Sequence, residues 1–368
     1  MDSSMEQIRV RLEKNTDDSY DIFVGQGMMD RLGAVIKAQE SADQCIVITD
    51  SNVNRLYGKM IQERLRQGAL PIEIIEIPAG ESSKSMGVVL EVATQLLELK
   101  ASRQCLLIAL GGGVVGDLAG FVASIYKRSV PYVQIATTLV AQVDSSVGGK
   151  TGIDLQQGKN LLGTFYQPRA VLIDLSFLKT LTDRDFKNGL AEIIKYGIIR
   201  DEEMFGLLEA ERERVLERQP ILMEDLVVRS CRTKAHIVEQ DEKEGGLRRI
   251  LNFGHTLGHA LEAASDYRLS HGEAVAIGTV GASKISQKLD FLDEESHGRI
   301  VHLIKQYGLP TVIPAALDGE DLLDFMASDK KVVGTKIYFV LIKKIGVPFV
   351  TAEVPTRMIR EVIEEMKS

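Results

Sequence analysis

The run Cys105-Leu106-Leu107-Ile108-Ala109-Leu110 is six consecutive apolar residues that stop at Gly111-Gly112-Gly113. A strand with no polar alternation has to be covered on both faces, as strands of a buried parallel sheet are. The same kind of run recurs through the first half of the chain. Gln44-Cys45-Ile46-Val47-Ile48-Thr49 ends at Asp50-Ser51-Asn52, a turn and helix-start signal. Ile72-Glu73-Ile74-Ile75-Glu76-Ile77 is stopped by Pro78, and Tyr132-Val133-Gln134-Ile135-Ala136 follows further on. Between them, 53–66, 85–99 and the stretch after Gly113 have helical spacing. Strands alternating with helices imply right-handed βαβ units and a largely parallel sheet.

The second half has another character. From about 183 to 287 β-branched runs are few. The segments 204–217 and 221–240 read as amphipathic helices, and 252–264 and 272–289, richer in Ala, Gly, Ile and Val, as buried ones. A strand pattern returns at Ile337-Tyr338-Phe339-Val340-Leu341, and 357–366 predicts a closing helix. At roughly 150 residues per domain, 368 residues make about two. The fold class is α/β: an α/β domain over 1–176, then a mainly α-helical domain over 177–368.

Composition narrows the function. With 45% hydrophobic and 26% charged residues, the chain reads as an ordinary globular protein. The balance of 44 Lys+Arg against 52 Asp+Glu gives −8, which argues against nucleic acid or an anionic membrane as partner. The longest low-charge stretch, 105–124, is broken by Asp117 and glycines, so no membrane span is expected. The start, Met1-Asp2-Ser3-Ser4-Met5-Glu6, does not read as a secretory signal. Cys45, Cys105 and Cys231 are odd in number and far apart, so neither a disulfide framework nor a cysteine zinc site follows. The expected compartment is the cytoplasm.

Three motifs carry candidate chemistry. Gly111-x-Gly113-x-x-Gly116 follows a strand and opens a helix, where backbone N–H groups can receive a pyrophosphate. The same pattern also serves as a bare strand–helix turn, and the acidic ribose reader expected about 20 residues later is missing. Asp50, ending a neighbouring strand, can take that role. Gly149-Lys150-Thr151 resembles a P-loop tail, but Asp144 occupies the place of the first glycine, so that reading fails. The stretch 144–160 is glycine-rich with Lys150 and Lys159, and suits either an anion-binding loop or a solvated surface loop. Of six histidines, His255, His259 and His271 fall close together. His255 and His259 are spaced i, i+4 on one helix face, a common zinc-binding arrangement. Spacing alone favours these two as direct ligands, with His271 and a carboxylate completing the set. Glu192 is the candidate carboxylate because Leu190-Ala191-Glu192-Ile193-Ile194 is otherwise apolar, and a carboxylate there needs a metal or a cation. No Gly-x-Ser-x-Gly elbow and no Cys–His pair supports nucleophilic hydrolysis.

Taken together, these motifs resemble those of 3-dehydroquinate synthases. The resemblance runs from about 50 to 346. It covers Gly80-Glu81-Ser82-Ser83-Lys84, Gly111-Gly112-Gly113-Val114-Val115-Gly116-Asp117, Thr137-Thr138-Leu139-Val140-Ala141-Gln142-Val143-Asp144, and Ser145 through Thr151. It continues in Gly158-Lys159-Asn160, Gly189-Leu190-Ala191-Glu192, Asn252-Phe253-Gly254-His255, His271-Gly272-Glu273-Ala274 and Asp329-Lys330-Lys331. The resemblance implies an N-terminal Rossmann-like α/β domain, a helical C-terminal domain and an active site in the interdomain cleft. It implies a shikimate-pathway lyase that forms 3-dehydroquinate and phosphate from 3-deoxy-D-arabino-heptulosonate 7-phosphate. It further implies catalytic NAD, Zn2+ or Co2+, and a homodimer.

By the same resemblance, the metal ligands are Glu192, His255 and His271, and His259 is a proton relay rather than a ligand. Lys150, Asn160 and Arg128 match positions near the substrate phosphate. Asp144, Lys195, Lys234, Arg248 and Asn252 match substrate contacts. Asp50, Glu81, Lys84, Gly113, Asp117, Thr137, Thr138, Lys159 and Thr180 match cofactor contacts. Ala136, Asp154 and Thr182 depart from common family residues without removing a ligand. The rival readings are a 2-deoxy-scyllo-inosose or valiolone-type synthase, whose substrates lack the carboxylate that Arg248 and the Lys330/Lys336 region would hold, a metal-dependent polyol dehydrogenase, and a non-catalytic NAD- and metal-binding protein.

Overall fold

The computed structural model describes residues 17–39, 42–66, 70–155, 158–328 and 337–368, so Asp329, Lys330, Lys331 and Lys336 lie outside the described residues. The first lobe contains β1 (Asp21–Gly25), β2 (Cys45–Asp50), β3 (Ile72–Ile77), β4 (Leu106–Gly111), β5 (Tyr132–Ala136), the hairpin strands β6 (Lys150–Leu155) and β7 (Gly158–Phe165), and β8 (Ala170–Asp174). Six of these form one sheet, in the order β1-β8-β5-β4-β2-β3, with every neighbouring pair parallel. Its helices are α1 (Leu32–Lys37), α2 (Ser51–Val53), running through a π-helical turn into α3 (Lys59–Arg66), then α4 (Met86–Glu98) and α5 (Gly113–Ile125).

The apolar run of β4 explains the layering. Leu107 and Ala109 join Val89, Val92 and Leu96 of α4 and Val115, Leu118 and Val122 of α5. Leu106, Ile108 and Leu110 point the other way, into the core formed with Leu32 and Ile36 of α1 and Ile61 and Leu65 of α3. Strand alternation thus feeds two cores at once. The sheet order places β2 between β3 and β4. After β2 the chain runs outward to β3, then returns across to β4 and continues through β5. The carboxyl ends of β2 and β4 therefore flank the switch point, where open α/β sheets bind ligands.

The second lobe comprises α6 (Asp183–Ile199), α7 (Glu202–Ala210), α8 (Arg212–Leu216), α9 (Pro220–Gln240), α10 (His255–Ala264), α11 (His271–Lys288), α12 (Glu294–Gln306), α13 (Gly319–Ser328), an antiparallel pair β9 (Phe339–Lys344) and β10 (Val347–Thr351), and α14 (Thr356–Met366). Its core is continuous with Val171 and Ile173 of the sheet, so the lobes share apolar packing. Thr182, a departure from common family residues, caps α6: its hydroxyl accepts from the Asp185 N–H at 3.1 Å.

Glycines set how closely α10 and α11 approach. Gly254 is left-handed at φ +79. It starts α10 at His255, later than the helix expected from 252. A Cβ on Gly278 would overlap the Gly254 carbonyl oxygen, and one on Gly272 would overlap the Asn188 carbonyl oxygen of α6. Only bare backbones allow α6, α10 and α11 to converge this tightly.

Five of the described strands, β1, β6, β7, β8 and β10, lie outside the set predicted from sequence. β1 and β7 are largely half-buried or exposed and show no β-branched alternation. The glycine-rich segment 144–160, read as a loop, is a π-helical turn at Ala141–Ser145 followed by the β6–β7 hairpin. The helix expected over 204–217 is two, parted at Glu211.

Gly278→Ala is expected to lower the unfolding free energy by about 1–3 kcal/mol through overpacking. Gly298→Ala on α12, where an added Cβ meets nothing within 4 Å, is expected to raise it by about 0.4–1 kcal/mol. Denaturant titration of both variants checks the pair.

Candidate active site

Glu192 lies in the middle of α6 with no solvent exposure. Two helix starts face it. His255 is the first residue of α10 and His271 the first of α11, where Ser270 and Glu273 form a capping box. His271 Nε2 stands 3.1 Å from Glu192 Oε1, and His255 Nε2 stands 3.6 Å from the same oxygen. The ligand atoms of Glu192, His255 and His271 all lie within 4.8 Å of one another. Each ring is also fixed at its far nitrogen. His255 Nδ1 is 3.1 Å from the Phe253 carbonyl, which can only accept, so Nδ1 carries the hydrogen and Nε2 presents a lone pair. His271 Nδ1 is 3.3 Å from Glu262 Oε2.

One carboxylate oxygen and two imidazole nitrogens, oriented from behind, suit a divalent cation of the zinc type and leave room for further ligands. His259, one turn beyond His255, sets its ring centroid 5.4 Å from that of His255 and 6.5 Å from that of His271. It stands beside the convergent set. The pairing of His255 with His259 favoured by spacing alone is therefore not the arrangement that brings three ligand atoms together.

The charges around this cluster are dense. Lys195 Nζ contacts Glu192 Oε2 one turn along α6 and lies 3.9 Å from Asp144. Asp144 is further held by Lys234 Nζ at 2.9 Å and by a hydrogen bond donated from the buried Tyr196 hydroxyl. Burial works against the charged carboxyl of Asp144, but the two ammonium groups hold it well below the usual carboxylate range. Burial lowers the Lys234 ammonium, assisted by Arg248 and opposed by Asp144. Burial also disfavours an imidazolium at His271, yet hydrogen bonds and charge from Glu192 and Glu262 carry it up to about 10.

Lys150, about half exposed, contacts Glu244, whose other oxygen accepts from Asn252 Nδ2 at 2.7 Å. Arg248 is buried, donating through Nη2 to the Gly148 carbonyl at 2.9 Å and through Nη1 to the Glu242 carbonyl.

On the sheet side, Asp50 and the Gly111–Gly113 turn flank the switch point. A Cβ on Gly112 would lie 2.9 Å from Thr138, and one on Gly113 3.1 Å from the Ser145 hydroxyl, so bare backbone lines this turn. No side chain caps α5. These features fit a pyrophosphate cradle. Asp50 caps α2, accepting from the Asn52 and Val53 N–H groups. Thr138 accepts from the Ala141 N–H at 3.2 Å, and Thr137 is buried beside it. Thr180 shares a hydrogen bond with Tyr57. Lys84 is buried, 2.8 Å from Asp117 and 4.0 Å from both Glu81 and Asp154. Burial opposes its charge, but these carboxylates hold its pKa above the usual lysine range. Asn160, expected near the phosphate, accepts from Lys84. Lys159 reaches Glu81 at 3.3 Å and Glu262 at 3.1 Å.

Arg128 is not brought to this cluster within the chain. It lies exposed after α5, toward the start of β5, at the end of the sheet opposite the glycine turn. Glu262, Glu244 and Tyr196 are site residues that the sequence reading lacks. A signal existed for Glu262: His255, His259 and Glu262 follow i, i+4, i+7 on one helix face.

Comparison with known proteins first fixes the class, that of the sugar-phosphate cyclases. The structure of 2-epi-5-epi-valiolone synthase from Streptomyces hygroscopicus subsp. jinggangensis, with NAD+ and Zn2+ bound, superposes with a TM-score of 0.88 at 30% identity, covering 97% of this chain and 99% of that one. A 2-deoxy-scyllo-inosose synthase complexed with carbaglucose-6-phosphate, NAD+ and Co2+ gives 0.85 at 26% identity, covering 94% and 96%. Within that class, the family models for the 3-dehydroquinate synthase N-terminal and C-terminal parts match residues 74–188 and 189–332. The 3-dehydroquinate synthase of Acidithiobacillus ferrooxidans is 47% identical over 347 residues, covering 94% of this chain and 95% of the relative. The chain belongs to the 3-dehydroquinate synthase family.

Metal-free protein titrated with Co2+ is expected to bind one equivalent. His259→Ala is expected to retain it, and Glu192→Gln and His271→Ala to lose it. Metal analysis after gel filtration distinguishes these outcomes.

Proposed function

We propose that this enzyme converts 3-deoxy-D-arabino-heptulosonate 7-phosphate into 3-dehydroquinate and phosphate in a cleft between its two lobes, 1–176 and 177–368. The observation that carries the reading is the convergence of Glu192, His255 and His271 in a chain of this family. These three residues would hold Zn2+ or Co2+, and the Gly111–Gly113 turn would receive the pyrophosphate of NAD+. A bound cation supplies Lewis-acid polarisation of substrate hydroxyls, and bound NAD+ supplies a hydride acceptor that returns what it takes. Oxidation of the substrate's C5 hydroxyl acidifies the proton on the adjacent carbon and permits loss of phosphate. Return of the hydride, ring opening and an aldol step then close the carbocycle.

The chain's own residues account for charge and proton. Asp144, ionised between Lys195 and Lys234, accepts hydrogen bonds from the substrate hydroxyls. His259, adjacent to the ligand cluster and partly exposed, moves the proton of the oxidised hydroxyl. Lys150, Asn252 and Arg248 face the anionic ends of the substrate, with Glu244 now spanning Lys150 and Asn252. Arg128, at the opposite end of the sheet, would reach a phosphate site only from the second copy of a homodimer. Asp50, Glu81, Lys84, Asp117, Thr137, Thr138, Lys159 and Thr180 line the cofactor side, and Asn160 stands against Lys84 where the two sides meet. Drawing the lobes together would exclude water from the site between the oxidation and the reduction of the substrate. Among the described residues no helix is long and apolar enough to cross a membrane. Our reading is of a cytoplasmic homodimer with no nucleic-acid partner.

Incubation with the heptulosonate phosphate, NAD+ and Zn2+ is expected to release phosphate stoichiometrically with the cyclic product and without net NADH. Net NADH without phosphate would instead identify a polyol dehydrogenase. Chelation is expected to abolish phosphate release, and added Zn2+ or Co2+ to restore it. His259→Ala is expected to lower kcat by about 10²–10⁴ while keeping its metal.

A further inference from the structure

We propose that Glu262 is a positioning residue that ties the metal ligand His271 to Lys159 of the other lobe, so that cation affinity depends on contact between the lobes. The inference rests on the cation being held by Glu192, His255 and His271. Glu262 is buried on α10. Its Oε2 lies 3.3 Å from His271 Nδ1, and its Oε1 lies 3.1 Å from Lys159 Nζ. An ionised carboxylate only accepts, so His271 must carry its hydrogen on Nδ1. Nε2, 3.1 Å from Glu192 Oε1, donates to a carboxylate in the same way while the site is metal-free, and with Nδ1–H fixed by Glu262 it is the nitrogen that gives up its proton to present a lone pair to a cation.

The partner across the cleft is equally defined. Lys159 belongs to β7 in the hairpin of the first lobe. Its ammonium also meets Glu81 at 3.3 Å and the Tyr267 ring at 4.5 Å from the centroid. A carboxylate withdrawn from water requires such partners. One buried acid therefore spans a ligand of the helical lobe and a lysine of the sheet lobe. Removing Glu262 leaves His271 free to rotate or to change tautomer. Removing Lys159 leaves the carboxylate in place but without its counter-charge from the opposite lobe.

The test is Co2+ titration of metal-free wild type, Glu262→Gln, Glu262→Ala and Lys159→Met, read by calorimetry and by the visible absorption of bound Co2+. Glu262→Ala is expected to weaken binding by about 10–100-fold and to shift the absorption bands. Glu262→Gln, which keeps an acceptor for Nδ1–H, is expected to lie between it and wild type. Lys159→Met is expected to weaken binding less than Glu262→Ala while preserving the wild-type bands. Equal thermal midpoints of the metal-free proteins exclude a general folding defect. Wild-type affinity and spectrum in Glu262→Ala overturn the positioning role. Should that variant not fold, wild-type affinity in Glu262→Gln does so. Wild-type affinity in Lys159→Met overturns the link between lobes. Failure of the wild type to bind Co2+ overturns the underlying metal assignment instead.

Discussion

A carboxylate with no access to water, Glu192, is the constraint around which the helical lobe is arranged. An unpaired charge in that position would cost several kcal/mol, so the surrounding elements must bring it compensation. Lys195 supplies it from one turn along α6, and His255 and His271 bring two imidazoles from the starts of two other helices. The glycines at 254, 272 and 278 serve this arrangement, because side chains there would hold α10 and α11 away from each other and from α6. Helix packing and the convergence of Glu192, His255 and His271 are thus one requirement.

The charge pattern spreads outward in pairs. Asp144 lies between Lys195 and Lys234, Glu244 between Lys150 and Asn252, and Lys84 among Asp117, Glu81 and Asp154. Such alternation gathers several lysines at one site of a net-acidic protein, each held by an acidic side chain. A substrate carboxylate or phosphate can take over partners that acidic side chains now occupy. Glu244 is the clearest case, since it bridges two residues assigned to the substrate.

Much of the fold was legible because hydrophobic period reports it directly. Six unbroken apolar residues at 105–110 could be covered on both faces only within a parallel sheet, and Leu106 through Leu110 do feed two cores. The β6–β7 hairpin was not legible, because its glycines, lysines and half-exposed leucines carry neither period. At the site, Glu192 could be read from its apolar surroundings. The histidine set could not be resolved by spacing, because His271 reaches the cluster through the return of α11 against α10, a tertiary fact set by close glycine packing. The motif resemblance supplied what periodicity lacked. Glu262 was missed even though it shares a helix face with His255 and His259, since an isolated acid in a helix is ordinarily solvated.

The most direct test of the account is X-ray absorption fine structure on the Co2+- or Zn2+-loaded protein, compared with His259→Ala. The account predicts a light-atom shell at about 2.0–2.2 Å with outer-shell scattering from two imidazoles, the same in both proteins. A third imidazole lost in His259→Ala, or a shell of water oxygens alone, would contradict it.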